Sequence, residues 1–156
     1  MDVVFTGETI SQRIRSRLVV INREAADTVG GALQMELLAS DENAGQYRMR
    51  CITRDWMRNV IGTLHGGSCA IMADQAMGCV ANCLYDSGPH SPTSQLQLNF
   101  HRPMIAGETF LIEVQLINVS RSMIHLTAQI FTEAEPDKLC VSSSSVFFRG
   151  KKKEDA

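Results

Sequence analysis

The sequence carries no excess of either charge. Fifteen Lys and Arg face seventeen Asp and Glu, a net charge of -2 at neutral pH. Without a basic field there is no electrostatic footprint for nucleic acid, and no nucleic-acid partner is expected. The sequence also lacks a P-loop, a dinucleotide fingerprint and a nucleophile elbow, so no cofactor is expected. Its five cysteines (Cys51, Cys69, Cys79, Cys83 and Cys140) show no zinc-ribbon pairing, and nothing ahead of them reads as a secretion signal. Cys79 and Cys83 stand one helical turn apart, a spacing a metal can use. Reduced, buried thiols are the better reading, and no metal site is expected.

Charge is almost missing from one long stretch. Between Arg58 and Asp86 the single side chain fully charged at neutral pH is Asp74. Around it runs LHGGSCAIMADQAMGCVANCLY, small and largely apolar. The run is long enough to cross a bilayer, but a lipid-facing helix would not carry His65, Asp74, Gln75 and Asn82, so no integral membrane segment is expected. As a helix of 3.6-residue period it places Asp74 on a face with Gly67, Ala70, Ile71, Met77, Gly78 and Ala81, expected to be the buried face. A carboxylate there loses hydration worth several kcal/mol unless partners or a wet cleft compensate, which makes Asp74 the first candidate for chemistry.

The length of 156 residues suits one domain. Residues 1–30 form an N-terminal segment in which Ile10, Ile14 and Leu18 recur at one-turn spacing among Arg13, Arg15 and Arg17, an amphipathic helix packed on the domain. Thr28-Val29-Gly30-Gly31 reads as the hinge into the first strand. The domain proper covers 31–149. Strands are expected at 33–39 and 46–53 around the turn-rich 40–45, then the central helix at 66–85, stopping at Asp86-Ser87-Gly88-Pro89. Alternating runs at 93–100, 109–119, 123–131 and 139–148 complete about six strands. Short connections favour an antiparallel meander, and one helix on one sheet gives an α+β two-layer fold. The Gly- and Ala-rich helix lets the strands curl closely around it and leaves one sheet face for a partner subunit. Residues 150–156 are a charged, solvated tail.

His65-Gly66-Gly67 opens the central helix, where first-turn N–H groups have no internal partner and the dipole is positive. A developing oxyanion there meets donors, as acyl transfer requires, although the glycines also suit a plain tight helix entry. Asp74 lies two turns beyond Gly67, about 10 Å up the axis. One carbonyl cannot easily reach both. A symmetric dimer resolves this, with each site taking one element from each subunit.

The string from Asn59 through His65-Gly66-Gly67 to Asp74, followed by TSQLQLNFHRP, resembles the hotdog-fold acyl-CoA thioesterases, in particular the group of the phenylacetate-pathway thioesterases and thioesterase superfamily member 2. The likeness runs from Leu33 to Phe148. It implies an antiparallel sheet wrapped around one long central helix, homodimers with sites at the interface, and pairing into homotetramers. By position Asp74 matches the catalytic carboxylate, as general base or nucleophile, and the Gly66 N–H matches the donor polarising the thioester carbonyl, with Gly67 beside it. Asn59 and His65 match residues supporting the carbonyl-side pocket from the opposite subunit. Thr93, or its neighbour Ser94, matches the hydroxyl that positions water. Arg102 and Arg121 are candidates for coenzyme A phosphates on charge and loop position alone, against a reading as solvated side chains.

The expected activity is hydrolysis of an acyl-CoA to free acid and coenzyme A. Two alternatives stand beside it: a non-catalytic acyl-CoA-binding protein of the same fold, and an acyl-CoA hydratase. The acyl group stays open between alkyl and aryl, because Met57, Met72 and Met77 fit several shapes. The expected compartment is cytoplasmic, with mitochondrial import as the alternative raised by the Arg-rich start.

Overall fold

A computed structural model of the chain describes residues 7–85 and 90–150. The first helix, α1 (Ile10–Glu24), begins at a capping box in which Thr9 and Gln12 satisfy each other's backbone N–H groups. Its Ile14 and Leu18 are buried in the same core as the sheet, and the Arg13 guanidinium is buried with them. The expected hinge is a short helical turn, α2 (Val29–Ala32), capped by Thr28. Only glycine fits at Gly31, since a Cβ there would lie 1.9 Å from the Ala25 carbonyl oxygen. This turn and the left-handed Gln34 (φ 45°) delay the first strand, which runs Glu36–Asp41 as β1 rather than starting at residue 33.

The hairpin partner β2 (Gln46–Ile52) leads through a 3-10 turn to the long helix α3 (Gly66–Cys83). Residues 86–89, where the stop of that helix was expected, lie outside the described residues, as do 151–156 of the tail. Strands β3 (Thr93–Phe100), β4 (Thr109–Val119), β5 (Met123–Thr132) and β6 (Glu135–Phe148) follow. The first three match the expected runs closely, and β6 starts four residues earlier than residue 139.

All six strands form one antiparallel sheet in the order β1-β2-β4-β5-β6-β3, with α3 packed against β2 through β6. This is the expected α+β hotdog arrangement, a sheet wrapped around one long helix. The meander expectation fails at one join. β3 does not pair with β4 but lies at the far edge against β6, because α3, about 27 Å long, carries the chain across the sheet before β3 begins. The inward alternation holds elsewhere: Phe110, Ile112, Val114, Ile124, Leu126, Ala128 and Ile130 are all buried. On the edge strand Leu96 and Leu98 are half-buried and Phe100 is exposed.

Candidate active site

The helix carrying Asp74 presents two faces to different surroundings. Cys69, Met72, Ala73, Ala76, Met77, Val80 and Ala81 are buried against the sheet. Asp74 lies on the other stripe, half-buried with Ala70, Ile71, Gly78 and Asn82 and with the exposed Gly67. The expectation that its whole face would be buried is therefore corrected. Met77 and Ala81 turn into the core, while Asp74 keeps a wet side, and that lowers the cost of its charge.

The Thr93 hydroxyl donates to Asp74 Oδ1 at 2.7 Å. A β-bulge produces this contact. Thr93 pairs with Phe147 and Gln95 with Val146, so Ser94 is the extra residue between two consecutive pairs. Strict alternation with Leu96 and Leu98 would put Ser94 on the helix side, and the bulge shifts Thr93 there instead. Ser94 is exposed and the structure does not join it to Asp74. The approach to Thr93 is tied down by Asn82, one more polar residue on the Asp74 stripe. Its amide donates to the Gly78 carbonyl at 2.7 Å and accepts the Ser91 N–H at 2.8 Å. Asn82 was visible in sequence only as a polar residue two turns beyond Asp74, with no sign of what it holds.

At the helix start, His65 is the N-cap. Its Nδ1 accepts the Gly67 N–H at 2.9 Å, and its carbonyl takes the N–H groups of Ser68 and Cys69. Gly67 is thereby removed as a donor to a ligand. The Gly66 N–H has no acceptor among the described residues. His65 Nδ1 as acceptor also sets the neutral ring's proton on Nε2.

Asn59 is held within its own loop. Its Oδ1 accepts from the Ile61 and Thr63 N–H groups and its Nδ2 donates to Thr63 Oγ1, so it shapes its own loop. That loop, Gly66, Cys69, Phe100, Arg102 and Met104 line a groove of about 400 Å³. Asp74 is not among its lining residues. Arg102 stands at this groove, with one guanidinium nitrogen donating to the Leu139 carbonyl at 2.7 Å. Arg121 is far from it. It sits in the β4–β5 turn, whose Ser122 carbonyl accepts the Arg149 N–H, and Arg149 stacks over Tyr85 just beyond the opposite end of α3. A second hollow, about 820 Å³, lies over polar side chains of β1, β2, β4, β5 and β6 and holds none of the candidate residues.

Four buried thiols are unsuited to nucleophilic work. Burial pushes Cys51 and Cys83 up to about 12, and Cys69 and Cys79 up to about 11. No helix among the described residues is long and apolar enough to cross a membrane.

The family model described as thioesterase superfamily matches residues 61–138, which include the helix start, Asp74 and Thr93. Among solved structures, thioesterase superfamily member 2 of zebrafish is similar at TM-score 0.72 and 21% identity, over 87% of this chain and 98% of that one. A phenylacetic acid degradation-related protein of Ralstonia eutropha JMP134 is similar at TM-score 0.71 and 22% identity, over 84% and 98%. A Streptococcus mutans protein bound to acetyl CoA is similar at TM-score 0.62 and 20% identity, over 76% and 91%. At these identities the likeness is one of fold. No curated protein matches the chain in sequence.

Proposed function

The chain belongs to the thioesterase superfamily, whose pattern spans residues 61–138 of its 156, and from that footing we propose that it hydrolyses acyl-CoA thioesters to a free acid and coenzyme A. The observation that carries the reading is the Thr93–Asp74 hydrogen bond on the wet stripe of α3. With Thr93 on Oδ1, Asp74 Oδ2 is left to take a proton from water. The hydroxide attacks the thioester carbonyl, whose oxygen gains charge as the tetrahedral intermediate forms. The unpartnered Gly66 N–H at a helix N-terminus is the donor for that oxygen. Collapse of the intermediate expels the coenzyme A thiolate, which takes up a proton. Direct attack by the Asp74 carboxylate reaches the same products through an anhydride.

Asp74 and Gly66 belong to different copies of the chain in this proposal. Eight residues of one helix separate them by roughly 12 Å, too far for one carbonyl. The surface beside Gly66 also calls for a cover: Val60 is 104% exposed, Ile61 80% and Phe100 59%. A homodimer with two shared sites satisfies both, and the dimers pair into a tetramer. Arg102, at the rim of the Gly66 groove, is the contact for a coenzyme A phosphate. The Arg-rich α1 packs its Ile14 and Leu18 into the core, which supports reading it as part of the domain of a cytoplasmic protein.

The test is thiol release from acetyl-, hexanoyl-, myristoyl- and phenylacetyl-CoA by the parent chain and Asp74→Asn. Turnover is expected to fall by about a thousandfold with the melting temperature little changed. Undiminished turnover in Asp74→Asn rules the site out. Tight acyl-CoA binding by the parent chain without thiol release on any substrate favours the binding-protein reading instead.

A further inference from the structure

Thr93 is the first residue of an edge strand, followed at once by a bulge, a place where backbone is poorly held. A 2.7 Å contact to Asp74 from such a position needs anchors on both sides. Before Thr93, the Phe148 N–H donates to the Pro92 carbonyl at 2.9 Å. After it, the anchor is a side chain. Ser145 of β6 is 3% exposed, on the inner face where alternation calls for an apolar residue, and its hydroxyl donates at 2.7 Å to the carbonyl of Gln95. Gln95 is the first regularly paired residue after the bulge.

We propose that Ser145 is a positioning residue for the Thr93–Asp74 pair, acting through the β3 backbone. This rests on Asp74 as the catalytic carboxylate. A buried hydroxyl needs a partner, and this one spends its hydrogen bond where the ladder is interrupted. Holding Gln95 fixes the bulge, and the bulge turns Thr93 toward the helix. The chain supplies its own control. Ser143, 6% exposed on the same face, donates to the Gln97 carbonyl at 2.9 Å, further along β3 where regular pairing already holds the strand.

The experiment compares Ser145→Ala, Ser143→Ala, Thr93→Ala and the Ser145→Ala/Thr93→Ala double variant, using whichever of the four acyl-CoAs the parent chain cleaves fastest. Ser145→Ala is expected to lower kcat about tenfold with KM held within about twofold, as for a misplaced catalytic group. Ser143→Ala should lose similar thermal stability and keep kcat within about twofold. The double variant should be no slower than Thr93→Ala alone, because both changes remove one device. Equal kcat values for the two serine variants, or losses that multiply in the double variant, overturn the proposal. Should Ser145→Ala fail to fold, Ser145→Cys, which keeps the volume and weakens the donor, is read by the same criteria. A fully active Asp74→Asn defeats the site reading itself, whereas an inactive Asp74→Asn with indistinguishable serine variants defeats only the role of Ser145.

Discussion

The two ends of α3 are finished in opposite ways. At the C-terminal end Arg13 reaches over from α1. Its Nε donates to the Cys83 carbonyl at 2.8 Å and its Nη2 to the Leu84 carbonyl at 3.4 Å, so a buried cation sits on the negative pole of the helix. Ile14, Leu18 and Tyr47 are buried in the core that α1 joins, and burial pushes the Tyr47 hydroxyl up to about 12. At the N-terminal end, His65, Gly66 and Gly67 are exposed, and one N–H is without an acceptor among the described residues. One end is sealed with charge and apolar packing. The other keeps a donor in reserve. The helix is therefore stabilised where no chemistry is proposed and left open where a developing oxyanion would sit.

That contrast can be broken at either end. Gly66→Pro attacks the open end with little insult to the fold. Proline is tolerated at the first helical position, and His65 already has the extended backbone (φ -64°, ψ 138°) that a following proline demands. Loss of this one N–H should cost about a hundredfold in turnover on the acyl-CoA panel, with the melting curve nearly unchanged. Mixing inactive Gly66→Pro and Asp74→Asn chains should restore about a quarter of the parent activity, because random hybrids carry one intact shared site. Failure of the mixture to recover, under conditions where subunits exchange, places both groups in one chain.

At the sealed end, Arg13→Met should lower the unfolding free energy in urea by about 3 kcal/mol, since carbonyls bound by a buried cation lose their donor. Turnover per folded molecule should stay the same; a fall in kcat would mean the sealed end also serves the site. The smallest effect belongs to the N-cap. His65→Ala should cost about 1 kcal/mol in the same titration, and His65→Asn should recover most of it.

Much of this architecture was legible beforehand because it rests on local periodicity. The alternation of Phe110, Ile112 and Val114, or of Ile124, Leu126 and Ala128, states which side of a strand faces the core. The helix could be read from its small-residue run, and Asp74 stood out because it is the one charge within it. Harder to foresee was which side of Asp74 would be wet, since that depends on how far the sheet wraps. The place of β3 at the far edge, and the short α2 ahead of β1, follow from distances spanned and close contacts, not from composition. The choice between Thr93 and Ser94 was out of reach, because a bulge is a mismatch of two strands and no single strand records it.

By itself, then, the amino-acid order determined the kind of fold, the helix and its lone carboxylate, and a glycine-rich helix start. Those are properties of neighbours in the chain, set by side-chain period and backbone freedom. Only the tertiary structure decided how the donors and partners are shared out. His65 takes the Gly67 N–H, Asn59 bonds within its own loop, and Thr93 comes to Asp74 through a bulge pinned beside Ser145. A hydrogen bond is decided by distance and angle between groups far apart in sequence, and those are known only once the sheet has closed on the helix.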